Sequence, residues 1–311
     1  MSIVTEIERL QNAKSSIKTA IENKGVEVGN GTLDTYAEKI DAIQTGGGSD
    51  IEISDCSYLF YQGARQEQMN SLLKLCKNVT DTSYMCYNNT LVNSINLDNF
   101  DTSNLINMRN MFYGCSNLEN CSININTDKV TAMIYLFYGC SKLTELDLSS
   151  FNTKNAIINN MFNGCSKLKH INLTSFNTSN VTDFSYLFGG CSSLESLDLN
   201  NFDAGKVTII NTMFNNCTSL TNLQFVTNFG KALRYSSANN SGCSVTLSKS
   251  NNLTHDSLMD VINKLYDLNL TYNVADGGSL RTQKLVIGST NLAKLTADEI
   301  AIATNKGWVV S

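Results

Sequence analysis

The sequence predicts an α/β solenoid, and three observations carry the prediction. A phrase recurs every 25–26 residues, a strand motif follows each copy, and both are lost towards the two ends of the chain. Met111-Phe-Tyr-Gly-Cys115-Ser-Asn-Leu118 returns as Leu136-Phe-Tyr-Gly-Cys140-Ser-Lys-Leu143 and as Met161-Phe-Asn-Gly-Cys165-Ser-Lys-Leu168. It returns again as Leu187-Phe-Gly-Gly-Cys191-Ser-Ser-Leu194 and Met213-Phe-Asn-Asn-Cys217-Thr-Ser-Leu220. The head of the phrase extends upstream to Met85 and Leu59, giving steps of 26, 26, 25, 25, 26 and 26. A fixed period in this range is the signature of stacked coils, because one coil cannot bury its apolar face alone.

Each copy then carries Leu-x-x-Leu-x-Leu, as Leu143, Leu146, Leu148, or Leu194, Leu197, Leu199. Strand alternation turns the last two apolar residues inward and their neighbours outward. These are leucine-rich repeats of 25–26 residues, expected to lay a parallel β-sheet along one face. A Phe at 100, 151, 176 or 202 follows and fills the wide part of the coil. The Asn/Asp-Thr after it makes a turn through side-chain to backbone bonds. Val181, Phe184, Leu187 and Phe188 have helix-like spacing, so the return path is a short helix or a turn.

The ends read differently. Ile3, Ile7, Leu10, Ile17 and Ile21 alternate steps of four and three, with Lys14 at the missing position. That is a three-heptad α-helical coiled-coil seam, and Ile at both a and d favours a homotrimer, with a dimer the alternative. A helix docking back on its own chain would give the same pattern. Gly25 to Gly31 break this helix, a second follows from Leu33 to Ile43, and Gly46-Gly-Gly-Ser49 is a flexible joint. Gln66-Glu-Gln-Met-Asn-Ser-Leu-Leu reads as an amphipathic helix within a degenerate first coil. Beyond Cys243 the period is lost. A helix begins at Thr254, Leu268 to Val274 alternate like a strand, and Leu285-Val-Ile287 is a short strand. Thr296-Ala-Asp-Glu299 is a capping box, and Trp308-Val-Val310 is a last strand. The domain reading is therefore a helical oligomerisation and attachment module over 1–45 and a Gly-rich linker over 46–50. An N-terminal cap with a degenerate repeat occupies 51–84, the solenoid 85–243, and a C-terminal α/β cap 244–311.

Composition excludes several classes. The net charge is −5 with 16% charged residues, which disfavours nucleic acid and anionic membranes. No apolar run approaches the length of a membrane-spanning helix. The N-terminus lacks the basic and apolar regions of a secretory signal, so none is expected. The ten cysteines contain no Cys-x2-Cys pair, which argues against zinc. Cys115, Cys140, Cys165, Cys191, Cys217 and Cys243 recur once per coil. Neighbouring coils lie about 4.8 Å apart, wider than the ~3.8 Å that a disulfide asks of its Cβ atoms. Buried free thiols are the expectation.

No catalytic constellation is legible. His170 and His255 are the only histidines, and neither has a recurrent Ser, Cys or carboxylate partner in the sequence. Neither a catalytic residue, a metal site nor a cofactor is expected. The functional candidates are the outward residues of successive strands: Glu145 and Asp147, His170 and Asn172, Ser196 and Asp198, Asn222 and Gln224. On a curved solenoid they would tile a concave surface for a protein or glycan. A solvated polar face without a ligand would have the same composition.

The phrase Met-Phe-x-Gly-Cys-Ser-x-Leu-x-x-Leu-Asp-Leu-Ser-x-Phe-Asn-Thr, best matched by Leu146 to Thr153, resembles the BspA-like leucine-rich repeats of bacterial surface proteins. That resemblance spans about Leu59 to Phe225 and implies an adhesive, non-enzymatic role. The stretch from Ala20 to Ile43 is similar to N-terminal modules of tailed-bacteriophage fibre and minor structural proteins. The ending from Gly288 to Trp308 looks like the tail of repeat proteins encoded by gut phages and prophages. Together these imply a virion protein made in the host cytoplasm. It would attach to capsid or tail by its N-terminus and touch a bacterial surface or glycan receptor. A bacterial or prophage-encoded surface adhesin, or a cytoplasmic protein-binding scaffold, are the other readings.

Overall fold

The computed structural model describes residues 53–61, 76–98, 100–210, 212–231, 244–269 and 283–311, with Lys18, Met69 and Leu73 besides. The seam residues Ile3, Ile7, Leu10, Lys14, Ile17 and Ile21, the helix expected over 33–43 and Cys243 lie outside these residues.

The chain is a repeat solenoid of very short parallel strands. β1 (Ile53–Asp55) and β2 (Cys76–Asp81) pair first, followed by β3 (Ser94–Asn96) with β4 (Asn120–Ser122). β5 (Glu145–Asp147) pairs with β6 (His170–Asn172), and β7 (Ser196–Asp198) with β8 (Asn222–Gln224). The outward-inward-outward pattern expected from Leu-x-Leu is seen in β5, β7 and β8, where Leu146, Leu197 and Leu223 point into the core.

The parallel sheet expected along this face is present as consecutive hydrogen-bonded pairs, not as one uninterrupted ladder. A three-residue strand offers few N–H and C=O groups to a neighbour, so the strands alone do not hold the coils together. The return path does. It contains turns, the second of the two expected alternatives, and its amides alternate between two kinds of partner. Met111, Tyr113 and Cys115 donate within the coil, to the carbonyls of Met108 (3.2 Å), Asn110 (3.1 Å) and Phe112 (3.2 Å). Asn110, Phe112 and Gly114 donate to the next coil, to Ile134 (3.1 Å), Leu136 (2.9 Å) and Tyr138 (2.7 Å). The same alternation recurs coil after coil from Phe60 to Gly190, so the side of the solenoid that the sequence marks as a turn carries its continuous backbone ladder.

Inside, identical residues stack in columns. Phe112, Phe137, Phe162, Phe188 and Phe214 lie face to face with centroids 5.3, 6.2, 5.6 and 6.2 Å apart. Each such pair adds about 0.5–1.5 kcal/mol beyond its burial. Phe225, Phe229 and Trp308 carry the column onward. Phe151, Phe176 and Phe202 are buried as expected. The Asn-Thr turns also form: the Asn152 and Asn177 side chains accept from the amides of Lys154 and Ser179, both at 3.1 Å. The buried threonines do more than turn the chain. The Thr153 hydroxyl accepts from the Asn177 amide (3.0 Å) and donates to the Asn177 carbonyl (3.0 Å), clamping one coil to the next. Thr127 and Thr178 repeat this clamp.

After β8 the solenoid meets α1 (His255–Lys264), capped by Thr254, whose hydroxyl accepts from the Ser257 amide. The Ser257 hydroxyl accepts from the Leu223 amide at 2.9 Å, and the Asp260 carboxylate accepts from the Phe225 amide. β9 (Ser244–Thr246), β10 (Gln283–Val286) and β11 (Trp308–Val310) form a parallel sheet in the order β11-β10-β9. α2 (Gly288–Leu292) follows β10, and α3 (Ala297–Asn305) opens on the expected Thr296–Glu299 capping box. The strand expected from Leu268 begins instead as a turn at Leu268 and Asn269, and 270–274 lie outside the described residues. Of the helix expected over residues 66–73, Met69 and Leu73 are helical.

Candidate binding surfaces

The strand face brings its expected residues together in register. Glu145 lies opposite His170, Asp147 opposite Asn172, Ser196 opposite Asn222 and Asp198 opposite Gln224. Part of this polar display is committed to the fold. Asp147 accepts from the Ser149 amide (3.0 Å), Asn172 from the Thr174 amide (3.2 Å) and Asp198 from the Asn200 amide (2.9 Å). Hydrogen bonds from the Ser149 amide and hydroxyl, and then from the Asn172 side chain, hold the Asp147 carboxyl below the usual carboxylate range. At the last rung Gln224 contacts Asn200, which accepts from the Lys264 ammonium of α1. The strand face is thus a set of turn-forming side chains with Glu145, His170 and Ser196 exposed among them.

A second surface lies on the return path. The residue four before each Gly or Asn of one column and the residue immediately before that column form two parallel rows. One row reads Tyr58, Tyr84, Asn110, Tyr135, Asn160, Tyr186; the other reads Tyr61, Tyr87, Tyr113, Tyr138, Asn163, Gly189. In the second row four tyrosines stack across four coils, with centroids 5.5, 4.7 and 4.5 Å apart and ring planes within 11°. Tyr135 meets Tyr113 and Tyr138 edge-on, at 6.1 and 5.7 Å. Burial, followed by the neighbouring Tyr138, Tyr87 and Tyr135, raises the Tyr113 phenol above its ordinary value.

Tyr138 gives way to Asn163 and then Gly189, and a groove of about 440 Å³ opens between the rows. It runs from Tyr84 and Tyr87 to Tyr186, and its lining consists of tyrosine and asparagine side chains alone. Tyr84, Tyr135 and Tyr186 are held at φ of 57, 59 and 54°, a left-handed conformation that bulky side chains rarely adopt. Asn110, at φ 55°, is 5% exposed, and its side-chain oxygen has no hydrogen-bond partner. Leaving a buried acceptor unmade costs about 1–3 kcal/mol.

Sequence reasoning missed this surface. It treated the x of Met-Phe-x-Gly as a variable position, although tyrosine recurs there in Tyr61, Tyr87, Tyr113 and Tyr138. That recurrence was the available signal.

The histidines sit apart. His170 is exposed on β6, while His255 Nε2 meets the Glu299 carboxylate at 2.9 Å, tying α1 to α3. The hydrogen bond to Glu299 raises the His255 pKa, and the Thr296 amide followed by His255 lowers that of Glu299. Among the described residues no group of three His, Cys, Asp or Glu side chains could hold a metal ion, and no helix is long and apolar enough to cross a membrane.

The nine described cysteines are free thiols. Cys140, Cys165, Cys191 and Cys217 are buried, and each donates to a phenylalanine carbonyl of the preceding coil at 3.1–3.2 Å. Burial pushes the Cys165 and Cys217 thiols up to about 12 and makes them poor nucleophiles.

Comparison with known proteins agrees with the repeat. A family model described as Mycoplasma protein of unknown function, DUF285, matches residues 80–170 and 156–242, together more than half of the 311 residues. The chain belongs to the DUF285 family. The two matches tile the DUF285 chain across β3 to β8, so the family's own unit spans several coils of a leucine-rich-repeat-like solenoid. No curated protein and no solved structure matches the chain.

Proposed function

We propose that the chain is a non-catalytic recognition protein: a structural head or tail fibre of a tailed-bacteriophage virion. Residues 1–45 attach it to capsid or tail proteins, and Ile3, Ile7, Leu10, Lys14, Ile17 and Ile21 assemble it as a homotrimer. The leucine-rich-repeat solenoid, capped by residues 244–311, is then the arm presented to a host surface or glycan. The observation that carries the recognition reading is the tyrosine–asparagine groove, an uncharged aromatic surface mounted on a continuous backbone ladder. Rigid elements hold binding groups more accurately than loops do. The similarity of residues 20–43 to phage structural modules supports the virion assignment.

Two measurements test this function. Peptide mass spectrometry on density-purified particles finds the chain at structural stoichiometry if it is a fibre, and its absence there ends the virion reading. Light scattering on the full chain gives three times the 34.2 kDa monomer mass if the seam assembles it. A monomer would remove the self-assembling fibre. The second reading, a surface adhesin encoded by a bacterium or prophage, is favoured by the family description, which names a cellular bacterium. Recovery of the chain from cell envelopes alone would select it.

A further inference from the structure

We propose that the groove between the two tyrosine rows binds an uncharged polysaccharide, seating one sugar ring in each slot between first-row tyrosines two coils apart. This deepens the reading of the chain as a recognition arm and rests on it.

Four observations converge. The lining carries no charged side chain, so the groove has nothing to neutralise a phosphate, a carboxylate or a basic peptide. The first row alternates ring and amide, Tyr84, Asn110, Tyr135, Asn160, Tyr186, so each asparagine floors a slot flanked by tyrosines two coils apart. At about 4.8 Å per coil such a slot is ~10 Å wide, which admits one flat ring between two aromatic walls. Pyranose rings offer C–H faces to aromatic side chains and hydroxyls to amides, which is the chemistry of this lining.

The third observation is the Asn110 side-chain oxygen, an acceptor buried at the groove floor without a donor. A sugar hydroxyl entering the slot between Tyr84 and Tyr135 supplies one. The fourth is backbone geometry. Tyr84, Tyr135 and Tyr186 share the left-handed conformation of Asn110 and Asn160, as Tyr58 and Thr212 do outside the groove, so the turn of every coil fixes where these side chains stand.

Native affinity electrophoresis of the full chain tests the proposal, with hydroxyethylcellulose, xylan, galactomannan and soluble starch cast separately in the gel. At least one polymer should retard the protein. Tyr135→Asn and Asn110→Gly, both compatible with φ near +55° and with an unchanged fold, should weaken that retardation tenfold or more. Asp198→Asn on the strand face should leave it as it is. The inference is overturned if none of the four polymers retards the chain, or if the groove variants are retarded as strongly as the parent. It is equally overturned if the groove takes an immobilised proline-rich peptide and no polysaccharide. The outcome is independent of particle analysis. A chain found in virions that binds no polymer keeps the fibre reading and loses the groove, and a chain absent from virions that binds one does the reverse.

Discussion

The Asn89 side-chain amide donates to the Phe60 carbonyl at 2.9 Å, in the place where later coils use a thiol. Asn89 aligns with Cys115, Cys140, Cys165, Cys191 and Cys217, and Phe60 with the phenylalanines whose carbonyls accept from the last four of these. The column therefore asks for a small side chain that can donate one buried hydrogen bond, and sulfur is not essential to it.

Replacement of Asn89 should follow that requirement. Asn89→Ala leaves the Phe60 carbonyl without its donor and should cost about 1–3 kcal/mol. Asn89→Cys restores the donor of the other coils and should recover most of the loss. Urea unfolding followed by circular dichroism measures both. Equal destabilisation by Ala and Cys would show that shape, not the hydrogen bond, governs the position.

The thiols of the other coils make stability sensitive to alkali. Burial raises Cys165 and Cys217 from the ordinary 9.0 to about 12, and raises Cys140 and Cys191 well above 9.0. A raised folded-state pKa favours the neutral thiol, so the contribution is complete below pH 9 and is lost as pH climbs from 9 towards 12. Tyr113 is shifted the same way. The urea midpoint should stay level from pH 7 to 8.5 and fall steadily above it. Native protein at pH 8 should also leave these column thiols unmodified by a disulfide-exchange reagent until it unfolds. Rapid labelling of folded protein, or a midpoint indifferent to alkali, would contradict the buried column.

How much of this was legible in the sequence depends on which residues repeat. Leu146, Leu197 and Leu223 face inward because alternation fixes them, and Phe151, Phe176 and Phe202 fill the coil because a large apolar ring recurs at that point of the repeat. The inter-coil ladder through Phe112, Phe137 and Phe162 was not legible, since a string of turn residues does not disclose that alternate amides point at the next coil. The groove was hidden differently. Its two rows combine tyrosine with asparagine, and a position that varies in identity reads as unimportant until backbone geometry shows that each residue of the first row occupies the same left-handed site. The strand face was legible as outward-facing but not as self-occupied: that Asp147, Asn172 and Asp198 each close a turn depends on amides two residues onward.

The column beside the groove gives the last prediction, because it states when a left-handed position can hold a side chain. Gly114, Gly139, Gly164 and Gly190 lie at φ of 70–82°, and Asn88 and Asn216 take the same column at 52 and 59°. Asparagine tolerates that region and alanine does so at about 1–2 kcal/mol. Conformation is not the whole constraint. A Cβ built on Gly114 would fall 2.0 Å from the Asn88 side-chain oxygen, so an asparagine here reaches over the following coil and needs glycine there. Gly164 has glycine on both sides, and its own Cβ would lie 3.4 Å from the Gly139 Cα, an ordinary contact. Gly164→Asn should therefore shift the urea midpoint little and Gly164→Ala should lower it by the conformational cost. Gly114→Asn should be the most damaging of the three, since it sets a side chain against Asn88. If Gly164→Asn and Gly114→Asn proved equally harmful, the stacking of this column would not be what selects glycine, and conformation alone would account for it.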